Sequence, residues 1–291
     1  MEHDPVVLDR VALRSWQDMW ESAAPHAAEE AGMEVCRFGP VLATAAAAFP
    51  TDRCLNRIQG ANEPGAMRKG QLKEAVEWMR LAEVEYTVSV SALPSACRAV
   101  VWLSGGFELR RRSVKFVRDT SALEGCDDSG AEIHRLSREA DGFGFCSVPE
   151  EVFGLEPALS SLLFSLPARE SWRCYVTIDP RDDSRVAACG AMYVEDGIAQ
   201  LAIDATSPRA RGRGLHRALL RRRILDAAIE GCHTVIAEVS EMSGVGAVHR
   251  NLARTGFEVT HMTNHWQRSG YRKGDRDIAV GHWPSVGQGH G

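Results

Sequence analysis

The sequence has no run of eighteen apolar residues without a charge, so no segment is long enough to cross a bilayer as a helix and no membrane association is expected. Its first residues, MEHDPVVLDR, lack the basic start and apolar stretch of a secretory leader, and a cytoplasmic location is expected. The C-x-x-C spacing is missing. Eight cysteines (36, 54, 97, 126, 146, 174, 189 and 232) stand singly, as reduced and mostly buried thiols do, and neither a disulfide framework nor a zinc site is indicated. An excess of basic residues is missing as well: the net charge is −5, which argues against a protein that coats polyphosphate backbones. No G-x-S-x-G elbow is present. GAMRKGQ (65–71) has the glycine separation of a phosphate loop but Gln71 where lysine belongs. HMTNH (261–265) imitates a metal pair, yet residues four apart on a strand are roughly 13 Å apart, so no metal is expected.

What the chain does have is length and one dense patch of arginine. Its 291 residues favour two compact units of roughly 140 residues over one. The Asp-, Ser- and Gly-rich stretch DTSALEGCDDSG (119–130) is the natural division, giving domains at 1–122 and 123–291 with a loose glycine-rich tail over 281–291.

In the second half, 171–180, 186–196 and 197–206 read as three consecutive strands, the last two closed as a hairpin near Asp196-Gly197. A helix follows over 214–229 with Leu220, Ile224, Ala227 and Ala228 on one face and Gly231 as its stop. Then come a strand over 233–241, a helix over 244–257 stopped at Gly256, and a strand over 257–268. The first half echoes this order with a helix through 6–31, an apolar stretch at 41–49, a helix at 65–81, a strand at 86–92 and a helix ending at Gly105-Gly106. WLSGGFELRRRSVKFVRD (102–119) and NLARTGFEVTHMTNHWQR (251–268) align on GFE, each glycine between a helix and a strand, which suggests duplication. Trp78, Trp102, Trp172 and Trp266 sit at patterned positions and read as core or interface anchors.

The arginine patch, SPRARGRGLHRALL (207–220), lies between a strand and a helix, where free N–H groups and the positive helix end make an anion site. It is not a dinucleotide fingerprint, because Arg217 occupies the place of the third glycine. What remains is R-x-x-G-x-G, written as Arg209, Gly212 and Gly214.

This loop, with the GF junction downstream, resembles the GCN5-related N-acetyltransferase superfamily. The resemblance is good over roughly 170–268 and weaker upstream, where Arg57-Ile-Gln-Gly60-Ala-Asn62 nearly repeats the signature. It implies an α/β fold of two tandem domains, each with a mixed, mostly antiparallel sheet flanked by helices, and an N-terminal copy degenerate for cofactor binding. It also implies acetyl-coenzyme A as cofactor, its pyrophosphate on the backbone of 209–214 with charge from Arg209, Arg211 and Arg213. Its pantetheine would pair with the main chain of Ile203, Ala205 and Thr206, and Asn251 joins the binding set. The acceptor would be a primary amine of a small molecule or peptide; neither nucleic acid nor membrane is expected as partner, and a homodimer is compatible with the sequence.

Asp204 and Glu238 are candidate bases, direct or through water, beside plainer readings as a turn-facing carboxylate and a salt-bridge partner of the local arginines. Many members place a tyrosine four residues before the GF glycine to protonate the leaving thiolate, where this sequence has Leu252. His249, one helical turn earlier, and Tyr193, on a neighbouring strand, are the substitutes. Two rival readings stay open: a non-catalytic acyl-coenzyme A sensor, motivated by Leu252, and nucleic-acid recognition by the seven arginines between 207 and 223.

Overall fold

The structure is a computed structural model and describes residues 3–63, 65–67, 70–121, 130–179, 182–241 and 246–268. The domain division near 122 and the tail over 281–291 lie outside the described residues.

In the N-terminal half, helices α1 (Pro5–Glu21) and α2 (Pro25–Glu30) are followed by strands β1 (Met33–Phe38), β2 (Val41–Ala46) and β3 (Arg57–Gln59). Helix α3 (Gln71–Leu81), strand β4 (Thr87–Ser91), helix α4 (Cys97–Ser104) and the long strand β5 (Phe107–Asp119) complete it. The single helix expected over 6–31 is two, because Pro25 opens a new helix at its N1 position, where its missing N–H costs nothing. Asp4 caps α1 by accepting from the Val6 N–H at 2.9 Å.

In the C-terminal half the elements are β6 (Ile133–Leu136), α5 (Gly142–Phe153), α6 (Pro157–Phe164), β7 (Trp172–Asp179), β8 (Asp182–Glu195), β9 (Ile198–Thr206), α7 (Leu215–Ile229), β10 (Thr234–Ser240), α8 (Ala247–Arg254) and β11 (Glu258–Arg268). The expected hairpin forms between β8 and β9, with Asp196 and Gly197 both at positive φ, as a tight two-residue turn requires. Of the face assigned to α7, Leu220, Ile224 and Ala227 are buried, while Ala228 faces solvent.

All eleven strands form one sheet in the order β1-β2-β3-β4-β11-β5-β10-β9-β8-β7-β6. Had each half kept its own last strand, β5 would lie beside β4 and β11 beside β10. Instead β11 pairs with β4, β5 pairs with β10, and the two last strands pair with each other antiparallel from Glu258↔Val117 to Arg268↔Phe107. Each half therefore completes the other's sheet.

The core follows this exchange. Leu8, Trp16 and Trp20 of α1 pack in one cluster with Phe145 and Leu162 of α5 and α6 and with Ile203 of β9. A second cluster lies under α3 and α4, and a third between α7, α8 and the strands they cover. Among the described cysteines all are free thiols, four of them buried. Among the described residues, no helix is long and apolar enough to span a membrane and no cluster could hold a metal ion.

Candidate active site

The sheet opens at one seam. Parallel strands β9 and β10 pair over three rungs, Thr234↔Ile198 to Ile236↔Gln200, and then diverge, while β10 continues against β5 as far as Ser240↔Ser113. A bulge follows on β9. Between Cys189↔Ala205 and Ala191↔Ala202 the β9 strand carries an extra residue relative to β8, and Ile203 adopts φ +56°. A β-branched residue in the left-handed region is sterically strained, so the surrounding structure must hold it there.

Directly beneath the bulge lies the support. The Asp204 carboxylate is hydrogen-bonded to the Arg223 guanidinium, whose side chain is fully buried on α7 and also donates to the carbonyls of Ala191 (2.8 Å) and Leu219 (3.1 Å). Gly190, opposite the bulge, leaves the space: a Cβ there would come within 2.8–2.9 Å of Arg223 and Asp204. His216 adds to the cluster, 3.8 Å from Asp204, with its Nδ1 accepting from the Asn251 amide at 3.0 Å. Asp204 is thus held inside the protein by Arg223.

Beyond β9 the chain forms the arginine-glycine loop. Gly212 and Gly214 have φ of +77° and +78°, which side chains resist, and nothing stands within 4 Å of the Cβ position at Gly212. Gly214 is the N-cap of α7 and supplies no side-chain oxygen, leaving the first-turn N–H groups available to an anion. The arginines divide. Arg209 reaches the Val186 carbonyl (3.4 Å) and Glu151 (3.9 Å), and Arg213 donates to the Arg209 carbonyl at 2.8 Å. Arg222 pairs with Asp226 and Arg223 is buried, so the seven do not form one exposed surface. That removes the basis for reading them as a continuous nucleic-acid platform.

On the opposite face of the seam, under α1, is a cleft of mixed polar and apolar lining that reaches Ala202 and Ile203 of β9 and Glu238 of β10. A smaller adjoining chamber shares Arg57, Gln59, Glu238 and His265 with it. Glu238 lies two residues beyond the last β9–β10 rung. Its carboxylate accepts from the Ser113 hydroxyl and lies 3.5 Å from the Lys115 ammonium, which in turn pairs with Asp9 at 2.6 Å. Burial alone would raise the Glu238 pKa, but the Lys115 ammonium, with the Ser113 hydrogen bond, outweighs it and holds the carboxyl below its ordinary value. Lys115, despite burial, is held above the ordinary lysine range by Asp9 and Glu238.

His265 joins Ser89 and Ser113, each at 3.0 Å, and burial, reinforced by Arg111, drives its pKa down to about 3. It is neutral under working conditions. His261 Nε2 lies 3.0 Å from Asp9. The two histidines of HMTNH therefore serve this polar row rather than a shared ion.

His249 is on the other face. It packs edge-on to Phe116 (5.1 Å) in the α7–α8 layer, its Nε2 buried without a partner and its pKa lowered by burial. Leu252 is buried in the same layer. Tyr193 rests against Trp172 at 5.3 Å, and burial, with Glu195, pushes its phenol up to about 12. The structure thus brings Ile203 and Glu238 to one cleft. It places Asn251 at the first turn of α7, near the loop, and leaves His249 across the sheet from Glu238.

The sequence reading named no residue of the N-terminal half as part of this cleft. Arg57 is not in a loop resembling 209–214 but on β3, paired across to Thr44 and Thr87, with its side chain in the cleft. A signal existed: Arg111, Ser113 and Lys115 occupy alternate positions of β5, with Val114 and Phe116 on its other face.

No family model matches the sequence, and no curated protein matches it. Solved structures do resemble its fold. A GCN5-related N-acetyltransferase from Kribbella flavida aligns with 90% of this chain and 95% of its own at 15% identity and TM-score 0.62. One from Sphaerobacter thermophilus aligns over 79% and 80% at 15% identity and TM-score 0.58. A tandem GNAT protein from the clavulanic acid biosynthesis pathway aligns over 78% and 77% at 13% identity and TM-score 0.54. With the parted strands and the glycine loop in place, the chain has the fold of the GCN5-related N-acetyltransferases, shared also with the tandem GNAT protein.

Proposed function

We propose that the protein is an acetyl-coenzyme A-dependent N-acetyltransferase acting on a primary amine. The observation that carries this reading is the seam: β9 and β10 part after Gln200, ahead of the Ile203 bulge, with an uncapped helix N-terminus on one side and the Glu238 cleft on the other.

The residues fit the cofactor. Main-chain N–H groups from 212 onward, with Arg209, Arg211 and Arg213 nearby, would hold the pyrophosphate, and Asn251 stands beside that turn through His216. Backbone of Ile203, Ala205 and Thr206, released from β10, would pair with the pantetheine amides. Bound there, acetyl-coenzyme A supplies an activated acetyl group.

Glu238 acts on the acceptor. Ionised at neutral pH, it attracts the ammonium form and accepts the proton released as the amine nitrogen bonds to the acetyl carbon and the carbon–sulfur bond breaks. Because its pKa is depressed it is a weak sink, so turnover depends on the acceptor amine reaching its neutral form. Among the described residues no side chain stands in for the tyrosine missing at Leu252, and a leaving thiolate would take its proton from water. Asp204 holds the bulge in place and takes no proton.

Titration calorimetry with acetyl-coenzyme A, followed by thiol release in the presence of amines, tests the reading. Binding with turnover supports it. The buried Leu252 favours a second reading, a non-catalytic acyl-coenzyme A sensor, which predicts binding without thiol release from any amine.

A further inference from the structure

Among the described residues, two arginines in the cleft have no ion-pair partner. Arg57 stacks its guanidinium on Trp16, 3.3 Å from the ring centroid, and its Nε is shut off from solvent with no hydrogen-bond partner. Arg111 reaches only the Cys54 sulfur, at 3.9 Å. Among the described residues neither guanidinium has a carboxylate within ion-pairing distance, although Arg111 and Arg57 lie close enough to repel each other. An unpaired buried charge is costly, and proteins place one where a ligand will neutralise it.

The charge balance sets the ligand's charge. Arg57, Arg111 and Lys115 face Asp9 and Glu238 across the two chambers, and His265 is neutral, which leaves an excess of one positive charge. An amino acid whose amine is in its neutral, nucleophilic form carries net charge −1 and completes it. The same cleft also holds groups that suit the amine. Glu238 is joined there by Gln200, whose Oε1 is buried on β9 beside the seam with no partner among the described residues. Trp172 and Met19 add apolar wall.

Building on the acetyltransferase reading, we propose that the acceptor is an amine bearing a carboxylate, of the α-amino acid class. Arg57 and Arg111 take the carboxylate, while Glu238 and Gln200 take the amine and aim it at the seam. The N-terminal half is then the specificity element of the site, since both arginines come from it.

The test uses matched pairs: glycine, L-alanine, L-leucine and L-phenylalanine, each beside its own amide, with acetyl-coenzyme A and thiol release as readout. For at least one pair the acid is expected to exceed its amide in kcat/KM by about tenfold to a hundredfold, the effect of one or two charge-assisted hydrogen bonds. In Arg57→Gln and in Arg111→Gln the ratio should fall to within about twofold of unity, with the Kd for acetyl-coenzyme A unchanged. The wild-type ratios stand even if a variant fails to fold. Equal use of acid and amide, or preference for the amide, in every pair turned over overturns the carboxylate pocket and leaves the acetyltransferase reading intact. Binding of acetyl-coenzyme A without thiol release from any acid, amide or simple alkylamine removes the acetyltransferase reading, and this inference with it.

Discussion

Replacing Asp204 by Asn separates a structural from a catalytic role for the most deeply buried carboxylate near the seam. The Asp204 side chain is 2% exposed and that of its partner Arg223 0%. The substitution removes the only carboxylate that pairs with Arg223 among the described residues and leaves a buried guanidinium with two carbonyl partners. Breaking a buried pair from one side costs about 3–5 kcal/mol. At about 2 °C per kcal/mol for a chain of this size, Tm should fall by roughly 6–10 °C. Removing both charges behaves differently: Asp204→Leu with Arg223→Met leaves no orphaned ion and should recover most of the loss. Gly190→Ala, which pushes a methyl against the same pair, should destabilise in the same direction. Circular dichroism melts give Tm, and thiol release at 20 °C, where the variant is still folded, gives activity per folded molecule. An Asn variant that melts with the wild type but no longer turns over would make Asp204 the base and refute this account.

Glu238→Gln, by contrast, should lower thiol release by about 10²- to 10⁴-fold while Tm and the calorimetric Kd for acetyl-coenzyme A hold. Gly212→Val sets a β-branched residue at φ +77° in the loop and should weaken acetyl-coenzyme A binding at least about tenfold by calorimetry, with the melt little changed. In the pH–rate profile, the limb due to Glu238 should lie below the usual carboxylate range and move upward in Lys115→Met, because the ammonium is what overcomes the effect of burial. For stability, the folded pKa of His265, about 3, lies below its unfolded value, so the unfolded chain binds the proton first as pH drops below about 6.5. Stability should therefore fall between pH 6.5 and 4.5, with His216 and His249 acting in the same direction. Urea titrations of His265→Asn should show the slope reduced by about 1.4 kcal/mol per pH unit, the share of one proton.

Local chemistry accounts for what was legible. The turn at Asp196-Gly197, the glycines at 212 and 214 and the junctions at Gly106 and Gly256 each require a positive φ or a helix stop within a few residues, and short stretches of sequence carry such requirements. The alternation in 186–206 and the glycine loop after it were enough to place the β8–β9 hairpin and the start of α7. Partner choice among strands is another matter. Both β5 and β11 begin after a GF junction and carry similar alternation, so nothing within either strand says whether it closes its own half or the other. The exchange is decided by contacts more than a hundred residues apart, such as Lys115 with Asp9 and Ser113 with Glu238.

That exchange also explains why the cleft residues of the N-terminal half were not named from the sequence. No motif within that half marks which of its strands crosses to the other. Here β5 crosses into the C-terminal sheet and carries Arg111, Ser113 and Lys115 to the flank of Glu238, while α1 roofs the cleft with Asp9 and Trp16. Arg57 lies on β3 with Ile58 and Gln59, and its side chain lines the cleft. If the N-terminal half is a degenerate copy, as the proposed reading has it, the arginine that would belong to its phosphate loop is instead a wall of the cleft, and loss of a cofactor site and gain of an acceptor wall would be two consequences of the same residues.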